Sequence, residues 1–284
     1  MKRFILPAPP DSRGMIRLSG DDYHYLARVR RLGRGAVFEA LLPSGEEVRV
    51  RVRAVTRSGL TGECLLGTDD GAALSPQPQP WPPDMPRLVL FQALPKGAKM
   101  DLIVRQAAEG GIAEIVPFVS GYSVPRVRGG GPEDGKVARW RRIIKEARQQ
   151  SGSPVATAIQ VPGSVDTVLD YWKALRSRHS GALGLLFHLP VPEGPGGPGA
   201  PPLNQPLEQG SFHGYLNTKP EIVALVIGPE GGFSPEEASR FAAADFKSLV
   251  MGNTVLRVET AALYAAAAVR IILLERASWT LKPR

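Results

Sequence analysis

The chain has 284 residues, 43% hydrophobic and 22% charged, with a net charge of +8 and a single cysteine, Cys64. This is the composition of an ordinary globular protein, long enough for a large core and for two domains. It excludes an internal disulfide, and with no apolar run of about 18–20 residues a cytoplasmic protein without membrane spans is expected.

The N-terminal MKRFILPAPPD carries too short an apolar patch for a signal peptide. The first 60 residues hold twelve Lys/Arg against six Asp/Glu, and all but one of the twelve are arginine. Guanidinium groups grip phosphate oxygens two at a time, so an arginine-heavy segment suits nucleic-acid contact. Arg28, Arg30 and Arg31 cluster in HYLARVRRLGRG (24–35). VFEALLPSGEEVRVRVRAV (37–55) reads as two strands around a Pro-Ser-Gly turn. Period two places Val48, Val50 and Val52 inward and Arg49, Arg51 and Arg53 outward, about 7 Å apart. That spacing is close to the phosphate repeat of a nucleic-acid strand, and it equally suits a solvated strand face. A small β-barrel is expected for residues 1–72.

GAALSPQPQPWPPDMP (71–86) has six prolines in sixteen residues, and a linker is placed at 73–86. From 87 to 284 the pattern becomes α/β. RLVLFQAL (87–94), EIVPFVS (114–120), GLLFHLP (184–190), EIVALVIGP (221–229) and KSLVMGNTVL (247–256) read as strands. Helices are expected at 98–111, 136–152, 165–178 and 259–275, so the domain is a mostly parallel sheet with helices on both faces. On the 136–152 helix, Val137, Trp140, Ile144 and Ala147 share one face while Arg141, Lys145 and Arg148 share another. The last helix is alanine-rich on nearly every face and is expected to be buried. Residues 191–219 are rich in Gly and Pro and read as a flexible surface insertion. Their formal G-x-G-x-x-G is interrupted by prolines and followed by no helix, so it is not a dinucleotide fingerprint.

Neither a P-loop nor a G-x-S-x-G elbow occurs. His24, His179, His188 and His213 are scattered, and with one cysteine they offer no metal-ligand spacing, so no metal is expected. The remaining chemistry lies in two stretches. In VIGPEGGFSPEE (226–237), Gly228 ends a strand, and Gly231 and Gly232 permit positive φ and close backbone approach. Ser234, Pro235 and Glu237 supply a capping box for the next helix. The acids Glu230, Glu236 and Glu237 disfavour a phosphate and favour a neutral or cationic ligand held by main-chain groups. In MGNTVLRVETAALYAAAA (251–268), Arg257 and Glu259 stand at the mouth of an apolar helix. They are either functional charges or a structural ion pair.

In combination, IGPEGGFSPEE and MGNTVLRVETAAL closely resemble the RsmE family of uracil-N3 methyltransferases acting on small-subunit ribosomal RNA. HYLARVRRLGRG, LPKGAKMDLIVRQAAEGGIAEIVPFVSGYSV and RWRRIIKEARQQSG extend the resemblance over nearly the whole chain. It implies a PUA-like RNA-binding β-barrel followed by a trefoil-knotted SPOUT methyltransferase domain. It also implies a homodimer, S-adenosyl-L-methionine as cofactor, and ribosomal RNA or the small ribosomal subunit as partner. The cofactor residues it implies are Leu186, Phe187 and His188, then Ile227, Gly228, Glu230, Gly231 and Gly232, then Met251, Gly252, Val255, Leu256 and Thr260. Arg257 and Glu259 are the implied catalytic pair. Expected RNA contacts are Arg28, Arg30, Arg31, Arg49, Arg51, Arg53, Lys96, Lys99, Arg141, Lys145 and Arg148.

Overall fold

The computed structural model describes residues 4–65, 85–123, 132–188, 212–251 and 254–278. They form two compact units, one of Met1–Pro83 with Lys145–Ala156, the other of Asp84–Ile144 with Thr157–Arg284.

In the first unit, β1 (Phe4–Ile5) and β2 (Met15–Leu18) precede α1 (Gly20–Tyr23), which continues as a π-helical turn over His24–Val29. Then come β3 (Val37–Leu41), β4 (Glu47–Val55) and β5 (Leu60–Leu65). The expected barrel is a curled half-barrel, a single five-stranded sheet in the order β1-β3-β4-β5-β2. The β3–β4 hairpin follows the alternation: Val50 and Val52 are 0% and 1% exposed and pack with Phe4, Ile16, Leu26, Phe38 and Leu60. Burial of each such side chain stabilises the unit by about 1.5–3 kcal/mol. Across the sheet, Arg49 stands opposite Glu39, and Arg51 opposite Glu63. Arg53 Nε donates to Glu63 Oε2 at 2.6 Å, so the arginine ladder is interleaved with carboxylates.

Lys145–Ala156 belongs to this unit, whereas the sequence reading gave the whole 136–152 helix to the second. Lys145 Nζ donates to Asp22 Oδ1 at 2.9 Å, and the β3–β4 turn passes so close to Pro154 that a Cβ on Gly45 would lie 1.8 Å from its carbonyl oxygen. Helical periodicity identifies a helix but not which core each of its turns joins.

The second unit contains β6 (Arg87–Ala93), α2 (Lys99–Glu109), β7 (Glu114–Val119), α3 (Pro132–Ser151, to Ile144 in this unit), β8 (Ala158–Ile159), β9 (Gly163–Ser164) and α4 (Val165–Arg178). It continues with β10 (Ala182–Phe187), α5 (Phe212–Leu216), β11 (Ile222–Ile227), α6 (Pro235–Ala243), β12 (Phe246–Leu249) and α7 (Val258–Ser278). The sheet runs β12-β10-β11-β6-β7-β8, with β9 also on β7, and all its pairings are parallel. β11 is buried along its length, as a central parallel strand must be. Phe91, Phe118, Trp172, Val226, Phe241 and Phe246 are among the core residues. At the opposite, N-terminal end of the strands, buried Glu114 accepts from Arg87 Nη2 (2.5 Å), Gln160 Nε2 (2.6 Å) and Tyr171 Oη (2.6 Å).

Three expectations are corrected. The strand expected at 247–256 stops at Leu249, and the chain is irregular from Val250, where the pocket described below begins. The tail of the expected flexible insertion is ordered: α5 buries Leu216 and sets Phe212 edge-on to Phe187 with ring centres 6.3 Å apart. Its apolar and aromatic residues give it a face to pack. Finally, α7 is not buried all round, because Leu263, Tyr264, Ile271 and Leu274 are 38–57% exposed in the single chain. The 73–84 part of the linker and residues 191–211 of the insertion lie outside the described residues. Among the described residues no helix is long and apolar enough to cross a membrane.

Candidate active site

Parallel strands release their chains at the same edge of the sheet, and ligands of open α/β folds collect there. Phe187 pairs with Ile227 on one side and Leu249 on the other, so the last residues of β10, β11 and β12 form one row. The segments leaving that row enclose a cavity of about 430 Å³. Its walls include Phe187, His188, Ile227, Leu249, Met251, Val255, Leu256 and Arg257, with the turn Gly228–Gly232 along one side.

The turn is built as its sequence demands. Gly232 has φ +70°, a left-handed conformation that costs any residue with a Cβ, and its N–H donates to the Pro229 carbonyl at 2.9 Å. Gly231 is required for another reason: a Cβ there would come within 2.8 Å of Tyr122 Cβ. The capping box forms, with Glu237 N–H donating to Ser234 Oγ (3.1 Å) and Ser234 N–H to Glu237 Oε2 (3.0 Å). Glu237 Oε1 also accepts from the Gly121 N–H at 2.7 Å, which ties the segment after β7 to this helix start.

Glu230 braces the turn. It accepts from Lys99 Nζ at 2.6 Å and from the Lys96 N–H at 3.2 Å. Partial burial pushes its carboxyl up, but the Lys99 hydrogen bond and charge, with the main-chain donors Glu230 N–H and Lys96 N–H, hold it below the usual range. The turn's acids are therefore largely committed within the protein. Burial holds the His188 imidazole below its ordinary value, so the ring is neutral at neutral pH. Its ring centre lies 6.1 Å from that of Phe233.

Arg257 is exposed at the cavity wall and caps α7, accepting from the Ala261 N–H at 2.8 Å through its carbonyl. Glu259 is in the first turn of α7 with one carboxylate oxygen, Oε2, buried and accepting no hydrogen bond. Among the described residues the cation nearest this carboxylate is Lys99 at 4.0 Å, and Arg257 forms no ion pair with it. The structural ion pair allowed by the sequence reading is thus not made.

Of the expected cofactor residues, Phe187, His188, Ile227, Gly228, Glu230, Gly231, Gly232, Met251, Val255 and Leu256 line the cavity. Leu186 does not: strand alternation turns it into the core, where it is 2% exposed. Thr260 is half-buried on α7 away from the lining, and Gly252 lies outside the described residues. Sequence reasoning, whose pocket segments included Pro229 and spanned Thr254, missed Phe233, Leu249, Val258 and Ala261 in the lining, and assigned Lys99 to RNA alone. Leu249 was findable, being the last residue of a strand beside β10; Lys99 was not, because its partner lies 131 positions away.

The other basic residues fall into distinct settings. Arg28 and Arg31 are exposed in the first unit and Arg30 is half-buried, while Arg141 and Lys96 are exposed in the second. Lys145 is engaged by Asp22. Arg148 is 6% exposed, with Nε and Nη2 buried and without an acceptor among the described residues, so it does not share an open face with Arg141. Among the described residues no three His, Cys, Asp or Glu side chains group as a metal site would require.

Comparison with known proteins agrees with this architecture. A family described as "RNA methyltransferase domain" matches residues 83–270. Over 271 residues the chain is 27% identical to the ribosomal RNA small subunit methyltransferase E of Mycobacterium tuberculosis, covering 95% of this chain and 91% of that one. The protein of that name from Bacillus subtilis is 23% identical over 254 residues, covering 89% and 88%. Among solved structures, a ribosomal RNA small subunit methyltransferase E from Neisseria gonorrhoeae, bound to S-adenosyl methionine, has the same fold. It superposes with a TM-score of 0.67 at 21% identity, covering 96% of this chain and 98% of that one. A putative methyltransferase from Legionella pneumophila with bound cofactor gives 0.65 at 22% identity, covering 95% and 97%.

Proposed function

Because the chain belongs to the RNA methyltransferase family, we propose that it transfers a methyl group from S-adenosyl-L-methionine to N3 of a uridine in small-subunit ribosomal RNA. Two small-subunit methyltransferase relatives matched over most of their length support the RNA class, and a cofactor-bound protein of the same fold supports the methyl donor.

The pocket fits that cofactor. A cavity of about 430 Å³ lies within the range of small-molecule sites, roughly 300–1,000 Å³. Apolar walls at Phe187, Leu249 and Leu256 suit an adenosyl group, and at Gly232 no atom lies within 4 Å of where a Cβ would be. With Lys99 engaged by Glu230 and the start of α6 capped by Ser234 and Glu237, neither that lysine nor that helix N-terminus is free for a triphosphate. When bound, S-adenosyl-L-methionine supplies an electrophilic methyl carbon: the new N–C bond forms as the C–S bond breaks, its electron pair remaining on sulfur.

The protein must then hold the base and take its proton. If uracil N3 titrates roughly two to three units above neutral, deprotonation costs about 3–4 kcal/mol, within what positioning alone supplies. Arg257, exposed at the wall and without an ion pair among the described residues, places its guanidinium on a uracil carbonyl oxygen as negative charge develops. Glu259 accepts the N3 proton; its buried Oε2, which accepts no hydrogen bond among the described residues and has the Lys99 ammonium 4.0 Å away, is the single observation that carries this assignment. Arg257→Ala is expected to slow turnover by about 10²–10³-fold with cofactor affinity changed little. An unchanged rate removes Arg257 from the mechanism.

The arginines of the first unit, Arg28 and Arg31 foremost, hold the RNA backbone without reading sequence. The exposed face of α7, with Leu263, Tyr264, Ile271 and Leu274 at helical spacing, packs against a second copy of the chain. Tyr264→Asp with Ile271→Asp is expected to give a monomer in analytical ultracentrifugation; a wild-type monomer under the same conditions contradicts the dimer.

A further inference from the structure

Among the described residues that line the cavity, Glu230 is the one carboxylate, and Lys99 and Arg257 are the two fixed positive charges. Lys99 and Glu230 meet as an ion pair on the wall, with Nζ donating to Oε1 at 2.6 Å. Two elements of the second unit hold the pair in place: Lys99 opens α2, and Glu230 belongs to the glycine turn after β11. Both side chains stay partly open, 36% and 27% exposed. Neither partner is used up. An ammonium has three N–H donors, of which one goes to Glu230, and Glu259 Oε2 at 4.0 Å is beyond hydrogen-bond reach. A carboxylate offers about four acceptor sites. Glu230 meets Lys99, the Lys96 N–H and its own N–H, which leaves room for a further donor.

A fixed pair of opposite charges, net neutral and open on one side to a cavity, complements a zwitterion and not a polyanion. We infer that the Lys99–Glu230 pair is the subsite for the α-amino-acid end of the cofactor, Glu230 accepting from its ammonium and Lys99 donating to its carboxylate. The inference rests on the S-adenosyl-L-methionine reading above. Each charge keeps its partner in the free protein and gains a second when the ligand arrives, so neither is left uncompensated on a partly buried wall. An adenosyl ligand without the amino-acid end would gain nothing from the pair. An adenosine phosphate would bring several negative charges to a lysine already shared with Glu230. Arg257, the other lining cation, is left to the substrate base.

The test removes the ligand group and the protein group independently. Calorimetry on the full chain would compare S-adenosyl-L-homocysteine, which carries the amino-acid end, with 5′-methylthioadenosine, which lacks it. Wild type is expected to bind the first at least about tenfold more tightly, as charge-assisted hydrogen bonds at a partly open wall allow. Lys99→Met should cut this preference to about threefold or less by weakening the homocysteine ligand, with methylthioadenosine affinity held within about twofold. Lys99→Arg should retain the preference, and so should Arg257→Ala. Glu230→Gln should reduce it as Lys99→Met does, and it reads the subsite should the methionine variant not fold. Equal weakening of both ligands in Lys99→Met or in Glu230→Gln would overturn the inference and leave the pair a brace of the turn. A preference lost in Arg257→Ala and kept in Lys99→Met would overturn it too, as would wild type binding both ligands equally. Wild type binding neither ligand would instead strike at the cofactor reading, and this inference would fall with it.

Discussion

Gly232→Ala tests whether the cofactor turn is preformed. With φ at +70° and, among the described residues, no atom within 4 Å of the added Cβ, the substitution creates no collision in the free protein, and its effect on folding isolates the backbone cost. A left-handed alanine costs about 1–2 kcal/mol, whereas asparagine visits this conformation more readily and should cost less. If the turn is held closed in the free protein by the Gly232-to-Pro229 bond and the Glu230 braces, the cost falls on folding. For a domain of this size that is a melting temperature lower by roughly 2–8 °C, with Gly232→Asn between alanine and wild type. If the variant instead relaxes the turn until ligand arrives, cofactor binding weakens by up to about 5–30-fold. Thermal melts and calorimetry with S-adenosyl-L-methionine separate the two, and their free-energy losses should together approach the backbone cost. Alanine and asparagine variants with wild-type melting and wild-type affinity would refute the left-handed assignment.

Other expectations follow from particular contacts. Burial first, then the hydrogen bond and charge of Glu114, push the Tyr171 phenol up to about 12. Absorbance titration should show one tyrosine ionising well after the others, earlier in Glu114→Gln. The stability it contributes is present below about pH 10, the unfolded value, and is lost as pH rises through about 12. His188 has the opposite sense: its folded value is depressed by burial, so its contribution is present above about pH 6.5 and is lost as pH falls through the folded value. Melting temperatures on acidification should fall more steeply in wild type than in His188→Gln. Gly45→Ala combines φ +95° with a Cβ 1.8 Å from the Pro154 oxygen, and should cost at least about 1–3 kcal/mol in denaturant unfolding. Binding of small-subunit RNA should weaken steeply with salt, and Arg28→Ala or Arg31→Ala should each lower the logarithmic slope by about one. An unchanged slope in both marks these arginines as solvated.

What could be read from the sequence was what local pattern encodes. Strands of the second unit announce themselves as apolar runs because both faces are buried, and the helix expected at 165–178 is α4 to the residue. The capping box at Ser234 and Glu237 was equally legible, since both partners lie within one helical turn. The glycine turn and the stretch carrying Arg257 were singled out by pattern, whereas their assignment to a cofactor pocket, and the β10 residues, came through the family resemblance. Long-range pairings were not legible. Nothing local says that Lys99 reaches Glu230, that Glu237 holds Gly121, or that Arg148 is buried when Arg141 one face-repeat earlier is exposed. Leu186 differs from its neighbours: the resemblance placed it in the site with Phe187 and His188, while alternation along β10 turns it to the core.

The central claim is tested most directly by identifying the modified nucleotide. Purified protein would be incubated with methyl-labelled S-adenosyl-L-methionine and small ribosomal subunits lacking the modification, and the RNA digested to nucleosides for mass spectrometry. The account predicts label in 3-methyluridine from wild-type protein and its loss with Arg257→Ala. Label in a ribose 2′-O-methyl nucleoside or another base, or no transfer to RNA, would contradict it.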